Sequence, residues 1–176
     1  MIQVKDKAFR VYIPQDEISA AIAKVSAQLM EEYGDKDPLF LCVLNGAFMF
    51  CSDLMKEFSG PAEIGFIKAA SYEGMSSTGK VDFHEAGKLN LKNRDIIVVE
   101  DIVDTGNTLV ALHEYLKKFT PRSVKVCTLL FKKDAYQQSL PIDYVCFETE
   151  NKFLLGYGLD YDGYGRNLPE VYILND

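Results

Sequence analysis

Asp95-Ile96-Ile97-Val98-Val99-Glu100-Asp101-Ile102-Val103-Asp104-Thr105-Gly106-Asn107-Thr108-Leu109 is the stretch on which the reading of this chain turns. Asp95–Val99 predicts a strand that ends in the acids Glu100 and Asp101. A short loop with Asp104, Thr105 and Gly106 follows, and then a helix from about Asn107 to Phe119. Exposed N–H groups at a helix start attract anions, and a glycine lets the backbone approach a phosphate closely. Thr105 and Thr108 add hydroxyl donors. Neighbouring strand residues point to opposite faces, so Glu100 and Asp101 share a task only if the strand stops there. Two acids beside a phosphate cradle point to a metal ion, to ribose hydroxyls, or to both. The alternative is a helix start capped by Asp104 or Thr105 behind two solvated acids. Neither GxxxxGK[ST] nor GxGxxG occurs, which excludes a standard NTPase loop and a Rossmann dinucleotide turn.

Outward from that stretch, short apolar runs alternate with helical periodicity. Ile18, Ile22, Val25, Leu29 and Tyr33 recur on one face of a helix predicted over residues 16 to 33, closed by Gly34. Leu39–Leu44 reads as a strand, followed by Asn45-Gly46 and a helix to about Phe58. Ala62–Ala70, Ser123–Phe131 and Asp143–Phe147 are further strands. Continuous apolar strands alternating with helices predict an α/β fold with a mainly parallel sheet covered on both faces. Residues 71 to 81 are polar and aperiodic and read as a long mobile loop. The tail, 156 to 176, reads as an irregular subdomain over the sheet's carboxyl edge, where open α/β sheets bind ligands. No repeat or linker divides the chain, so residues 1–176 read as one domain.

Asp and Glu total 26 against 19 Lys and Arg, a net charge of −7. Bulk charge therefore will not hold a nucleic acid or an anionic membrane, and a phosphate must be gripped by local amides, a few cations or a metal. No run approaches the ~20 apolar residues of a spanning helix, and the first residues do not resemble a signal peptide. Cys42, Cys51, Cys127 and Cys146 form no CxxC pair and read as buried free thiols, with a cytoplasmic setting as the expectation. His84 and His113 lack partners at ligand spacing and read as structural.

Val98-Val99-Glu100-Asp101-Ile102-Val103-Asp104-Thr105-Gly106-Asn107-Thr108 resembles the signature of type I phosphoribosyltransferases, and Asp104 resembles their hypoxanthine-guanine branch. Five further segments match in order. Leu44-Asn45-Gly46-Ala47 resembles the pyrophosphate loop, and Ser71-Tyr72 with Ser77-Thr78-Gly79 the closing lid. Phe131-Lys132-Lys133 and Lys152–Tyr157 resemble purine segments, and Leu159-Asp160-Tyr161 through Arg166-Asn167-Leu168 a purine and metal segment. The resemblance covers residues about 38 to 174. It implies a central sheet with a small hood, formed in part by residues 156–176, and a lid at about 71–81.

The resemblance also implies a reaction: pyrophosphate leaves C1 of the ribose as purine N9 attacks, through an oxocarbenium-like state. Asp104 is then the general base, and Glu100, Asp101, Asp104, Thr105, Gly106, Asn107 and Thr108 bind the phosphoribosyl group. Leu44, Asn45, Gly46 and Arg166 meet the pyrophosphate. Lys132 donates to purine O6, Phe153 stacks on the base, and Leu154 and Asp160 complete the purine site. Glu100, Asp101 and Asp160 serve Mg²⁺, and Ser71 and Tyr72 close over bound substrate to exclude water. Taken alone, Lys132 is a surface charge, Phe153 a core residue and the Asp160 and Arg166 charges a surface ion pair. Asn45 stands where several family members carry lysine, and Asn107 where relatives carry lysine or arginine. The expected partners are a 6-oxopurine and phosphoribosyl pyrophosphate, with no nucleic acid or membrane, in a homodimer or homotetramer. The rivals are a transferase for another base and a non-catalytic sensor of phosphoribosyl pyrophosphate. No DNA-binding helix-turn-helix segment is seen, which favours the enzyme.

Overall fold

A computed structural model describes residues 1–71 and 81–175 of the chain. It opens with two strands, β1 (Ile2–Val4) and β2 (Lys7–Ile13), and then helix α1 (Gln15–Tyr33). The predicted stripe is the buried face of α1: Ile18, Ile22, Val25, Leu29 and Tyr33 are all in the core. Each such aliphatic side chain contributes ~1.5–3 kcal/mol on full burial, which holds a helix with no side-chain N-cap in place. Strand β3 (Leu39–Leu44), helix α2 (Phe48–Glu57), strand β4 (Glu63–Ser71) and strand β5 (Val81–Glu85) follow. Then come β6 (Asp95–Val103), α3 (Asn107–Lys117), β7 (Ser123–Phe131), β8 (Tyr144–Glu148), β9 (Leu154–Leu155) and β10 (Val171–Leu174).

The main sheet runs β5-β4-β3-β6-β7-β8, all neighbours parallel except β4 with β5. That bears out the α/β reading, and the apolar runs at β3, β6 and β7 are those buried on both faces. Cys42, Ile97 and Val99 join the layer under α1 and α2, whereas Leu41, Ile96 and Val98 join the layer with Leu109, Leu112 and Leu116 of α3. All four cysteines are free, three of them buried.

Two expectations are corrected. Strand β6 does not stop at Val99: Glu100, Ile102 and Val103 continue its ladder against Thr128, Leu130 and Phe131 of β7. Backbone pairing with a long neighbour carries the strand through its two acids. The tail is also more regular than expected. Strands β9 and β10 join β1 and β2 in a second sheet, β1-β2-β10-β9, around buried Phe9, Leu155 and Tyr172. The hood is thus built from both ends of the chain. Tyr72 and residues 73–80 of the expected lid lie outside the described residues, while Ser71 ends β4 opposite Val81.

Candidate active site

The loop after β6 is shaped to receive an anion. Gly106 has φ +85°, and a Cβ there would meet the Tyr136 ring at 2.4 Å and Gln138 Cγ at 2.8 Å. Only glycine meets both demands. Among the described residues no side chain caps α3, so the reading of Asp104 or Thr105 as a helix cap fails. The start of α3, whose first-turn N–H groups have no intrahelical partner, instead borders a cleft lined by Glu100, Ile102, Val103, Asp104, Thr105, Gly106, Asn107, Thr108 and Leu109. Gln138 Nε2 donates to Asn107 Oδ1 at 2.8 Å, and the Gln137 N–H reaches the Thr105 carbonyl at 3.3 Å. Segment 136–138 therefore braces the loop from behind.

Glu100 and Asp101 serve different sides. Glu100 is 7% exposed and lines the cleft; burial, then the negative charge of Asp101, holds its carboxyl well above the usual range. Asp101 turns towards the loop after β3, where a Cβ on Gly46 would lie 1.6 Å from its Oδ2. Burial pushes its carboxyl up to about 6; the Ile102 N–H, donating to Oδ1 at 2.9 Å, and the Arg166 guanidinium pull it down, while Asp160 pushes it up. The Leu44–Asn45 peptide at the start of that loop is cis.

From the hood, a turn descends onto the same loop. Gly158 has φ +101°, and its Cβ would stand 2.0 Å from the Gly46 carbonyl oxygen. Arg166 donates from Nη1 to the Gly158 carbonyl at 2.7 Å and pairs through Nη2 with Asp160 Oδ1, also at 2.7 Å. Asp160 Oδ2 accepts the Gly163 N–H at 2.6 Å. Tyr157 donates its hydroxyl to Asp53 on α2, tying the turn to the main sheet's helix layer.

Lys132 and Asp104 follow the ends of neighbouring strands, with the Lys132 N–H donating to the Val103 carbonyl at 2.9 Å. Their side chains meet, Nζ to Oδ2, at 3.1 Å. The Lys132 side chain is 11% exposed and that of Asp104 46%. Lys132 is therefore a buried cation held by a solvent-facing acid, not a surface charge. Phe153 is half-exposed beside Tyr161 at 5.8 Å and Phe9 at 6.2 Å, with Lys7 Nζ 5.6 Å from its ring centre. Leu154 is buried at the start of β9, opposite Ile173 of β10.

The sequence profile of the phosphoribosyl transferase domain matches residues 14–162. This chain belongs to that family. It is 42% identical over 174 residues to the hypoxanthine-guanine-xanthine phosphoribosyltransferase of Tritrichomonas foetus, covering 97% of this chain and 94% of that one. The hypoxanthine-guanine phosphoribosyltransferase of Aquifex aeolicus is 33% identical over the full length of both. Among solved structures, a hypoxanthine-guanine phosphoribosyltransferase from Bacillus anthracis superposes with a TM-score of 0.89 at 30% identity, covering 97% of this chain and 99% of that one.

Within this phosphoribosyltransferase most of the sequence-predicted residues form three groups: the cleft lined by Glu100 and by Asp104 to Thr108, the Asp104–Lys132 pair, and Asp101 with Gly46, Asp160 and Arg166; Phe153 and Leu154 stand apart from these, in the hood. What the sequence hid is the bracing. The contacts of Gln138 with Asn107, Tyr157 with Asp53, and Gly158 with Gly46 all join distant segments. Only the glycines and aromatics themselves hinted at them.

Proposed function

We propose that this phosphoribosyltransferase makes nucleoside monophosphates from 6-oxopurines: hypoxanthine or guanine, and xanthine as well, plus phosphoribosyl pyrophosphate gives IMP, GMP or XMP plus pyrophosphate. The observation that carries the reading is the Lys132–Asp104 pair standing beside an uncapped phosphate loop. A purine carrying O6 and N7 on one edge presents an acceptor to the lysine and a proton-exchanging nitrogen to the acid. Adenine, with an amino group at C6, would set donor against donor. The names of the relatives point the same way.

Asp104 is assigned the proton of the purine as N9 attacks C1, a step for which a base must be within hydrogen-bond reach. Lys132 orients the base through O6, and Phe153 and Leu154 give it a face and an edge to lie against. The amides of Thr105 to Thr108 take the 5′-phosphate, and Glu100 meets the ribose. The Leu44–Gly46 loop and Arg166 take the pyrophosphate. Asp101 and Asp160 are close enough for each charge to bear on the other, with Arg166 between them in charge. Carboxylate oxygens of this kind suit Mg²⁺, which retains water and phosphate oxygens as its other ligands. When bound, Mg²⁺ offsets the charge of the leaving pyrophosphate. Residues 1–176 act as one catalytic unit under a lid at 71–81, in a cytoplasmic homodimer or homotetramer. No helix among the described residues is long and apolar enough to cross a membrane.

The test is a panel of hypoxanthine, guanine, xanthine, adenine and uracil with phosphoribosyl pyrophosphate and Mg²⁺. Nucleotide from 6-oxopurines alone is expected. Turnover of adenine or uracil at comparable rates refutes the assignment of Lys132. Tight binding of phosphoribosyl pyrophosphate with no turnover on any base replaces the enzyme with a sensor.

A further inference from the structure

A leaving pyrophosphate needs cations, and those already placed at the site are committed. Arg166 is bound to Asp160 and the Gly158 carbonyl, Lys132 is bound to Asp104, and the loop itself carries neutral Asn45. The β3–β4 ladder brings in another. Cys42 stands opposite Phe66 and Leu44 opposite Lys68. Partners in a ladder project to the same face of the sheet, and Cys42, Leu44 and Phe66 all pack in the layer under α1 and α2. Lys68 is therefore on that face, the face on which Asp101 meets Gly46, and one position short of Asn45. Neighbouring strands lie ~4.8 Å apart, a gap that the four-carbon stem of lysine spans. Lys68 is exposed and makes no ion pair or side-chain hydrogen bond among the described residues. Across the other side of the ladder it faces His84 of β5, which brings no negative charge to it.

We propose that Lys68 is a pyrophosphate-binding residue, supplying from β4 the cation that the Leu44–Gly46 loop lacks at position 45. The proposal rests on the reaction assigned above. Its ammonium contacts the leaving group directly, and the cost of its loss falls on phosphoribosyl pyrophosphate and pyrophosphate, not on the purine.

The experiment compares wild type, Lys68→Ala, Lys68→Arg and the double variant Lys68→Ala/Asn45→Lys. Pyrophosphate Kd with Mg²⁺ is measured by calorimetry, and KM for each substrate in steady state. For Lys68→Ala, pyrophosphate Kd and the KM for phosphoribosyl pyrophosphate rise about tenfold at low ionic strength and converge on wild type as salt screens the contact. The KM for hypoxanthine stays within about twofold, because the purine site is untouched. Arginine at 68 restores binding, and so does lysine at 45 in the alanine background. Unchanged pyrophosphate affinity in Lys68→Ala overturns the proposal, as does a loss shared equally with hypoxanthine or failure of both rescues. A wild-type protein that binds no pyrophosphate overturns the assigned reaction and this proposal together.

Discussion

Lys132→Ala separates recognition of the base from recognition of the sugar phosphate. In the free protein the Lys132 ammonium is nearly buried and rests on Asp104 at 3.1 Å. With a 6-oxopurine bound, it also donates to O6. Hydrogen bonds to charged groups are worth ~1.5–3 kcal/mol, and each 1.36 kcal/mol is tenfold in rate, so kcat/KM for hypoxanthine should fall about 10- to 150-fold. The structural side effect is smaller than for a wholly buried pair, since the Asp104 left behind is 46% exposed and finds water. The KM for phosphoribosyl pyrophosphate should stay within about twofold, because the amides of the phosphate loop do not depend on Lys132. The assay is initial rate with each substrate varied in turn, and a melting curve shows whether the variant is folded. An equal loss on both substrates, in a protein that melts like wild type, refutes the reasoning and makes the lysine a scaffold for the loop.

Asp104→Asn keeps the loop and removes the base, so kcat should drop ~10²-fold or more while phosphoribosyl pyrophosphate still binds in calorimetry. Near-normal turnover would remove Asp104 from proton transfer. Gly46→Ala drives a methyl group into the Asp101 carboxylate, 1.6 Å from Oδ2, and should abolish pyrophosphate binding with little change in far-UV circular dichroism. Retained binding would show that the loop and Asp101 are not held against each other. Glu32 has its carboxyl held below the ordinary value of 4.5, chiefly by the Tyr144 hydroxyl. That contact's contribution to stability is complete above this value and is lost as pH falls through the lowered one. Tyr144→Phe should therefore reduce Tm by a few degrees at pH 7, for a hydrogen bond worth about 1 kcal/mol, and by less at pH 3. A deficit independent of pH would assign the effect to packing.

The parts of the fold legible in the sequence are those set by local pattern. The stripe from Ile18 to Tyr33 could be buried only as one face of a helix, and Leu39–Leu44 only as a strand covered on both sides. Strands β1 and β2 were not legible, because only Phe9 and Ile13 of Lys7–Ile13 are fully committed to a core and their partners lie at the far end of the chain. The extension of β6 through Glu100 and Asp101 was hidden for a related reason: it follows from the neighbouring strand's hydrogen bonds, which side-chain polarity does not report. At the site, the cluster of acids and the phosphate loop stood out by composition and resemblance. The division of labour between Glu100 and Asp101 follows from strand alternation once the strand is known to continue. The meetings of Asp101 with Gly46, of Gly46 with Gly158 and of Leu44 with Lys68 depend on register and loop placement, which no local pattern encodes.

The central claim is that one site holds a sugar-phosphate donor and a 6-oxopurine and joins them. It is tested most directly by following both products at once, with purified protein, hypoxanthine, phosphoribosyl pyrophosphate and Mg²⁺. IMP and pyrophosphate are expected in equal amounts, with both lost on chelation of the metal. Pyrophosphate released without IMP, or phosphoribosyl pyrophosphate bound and left intact, would contradict it.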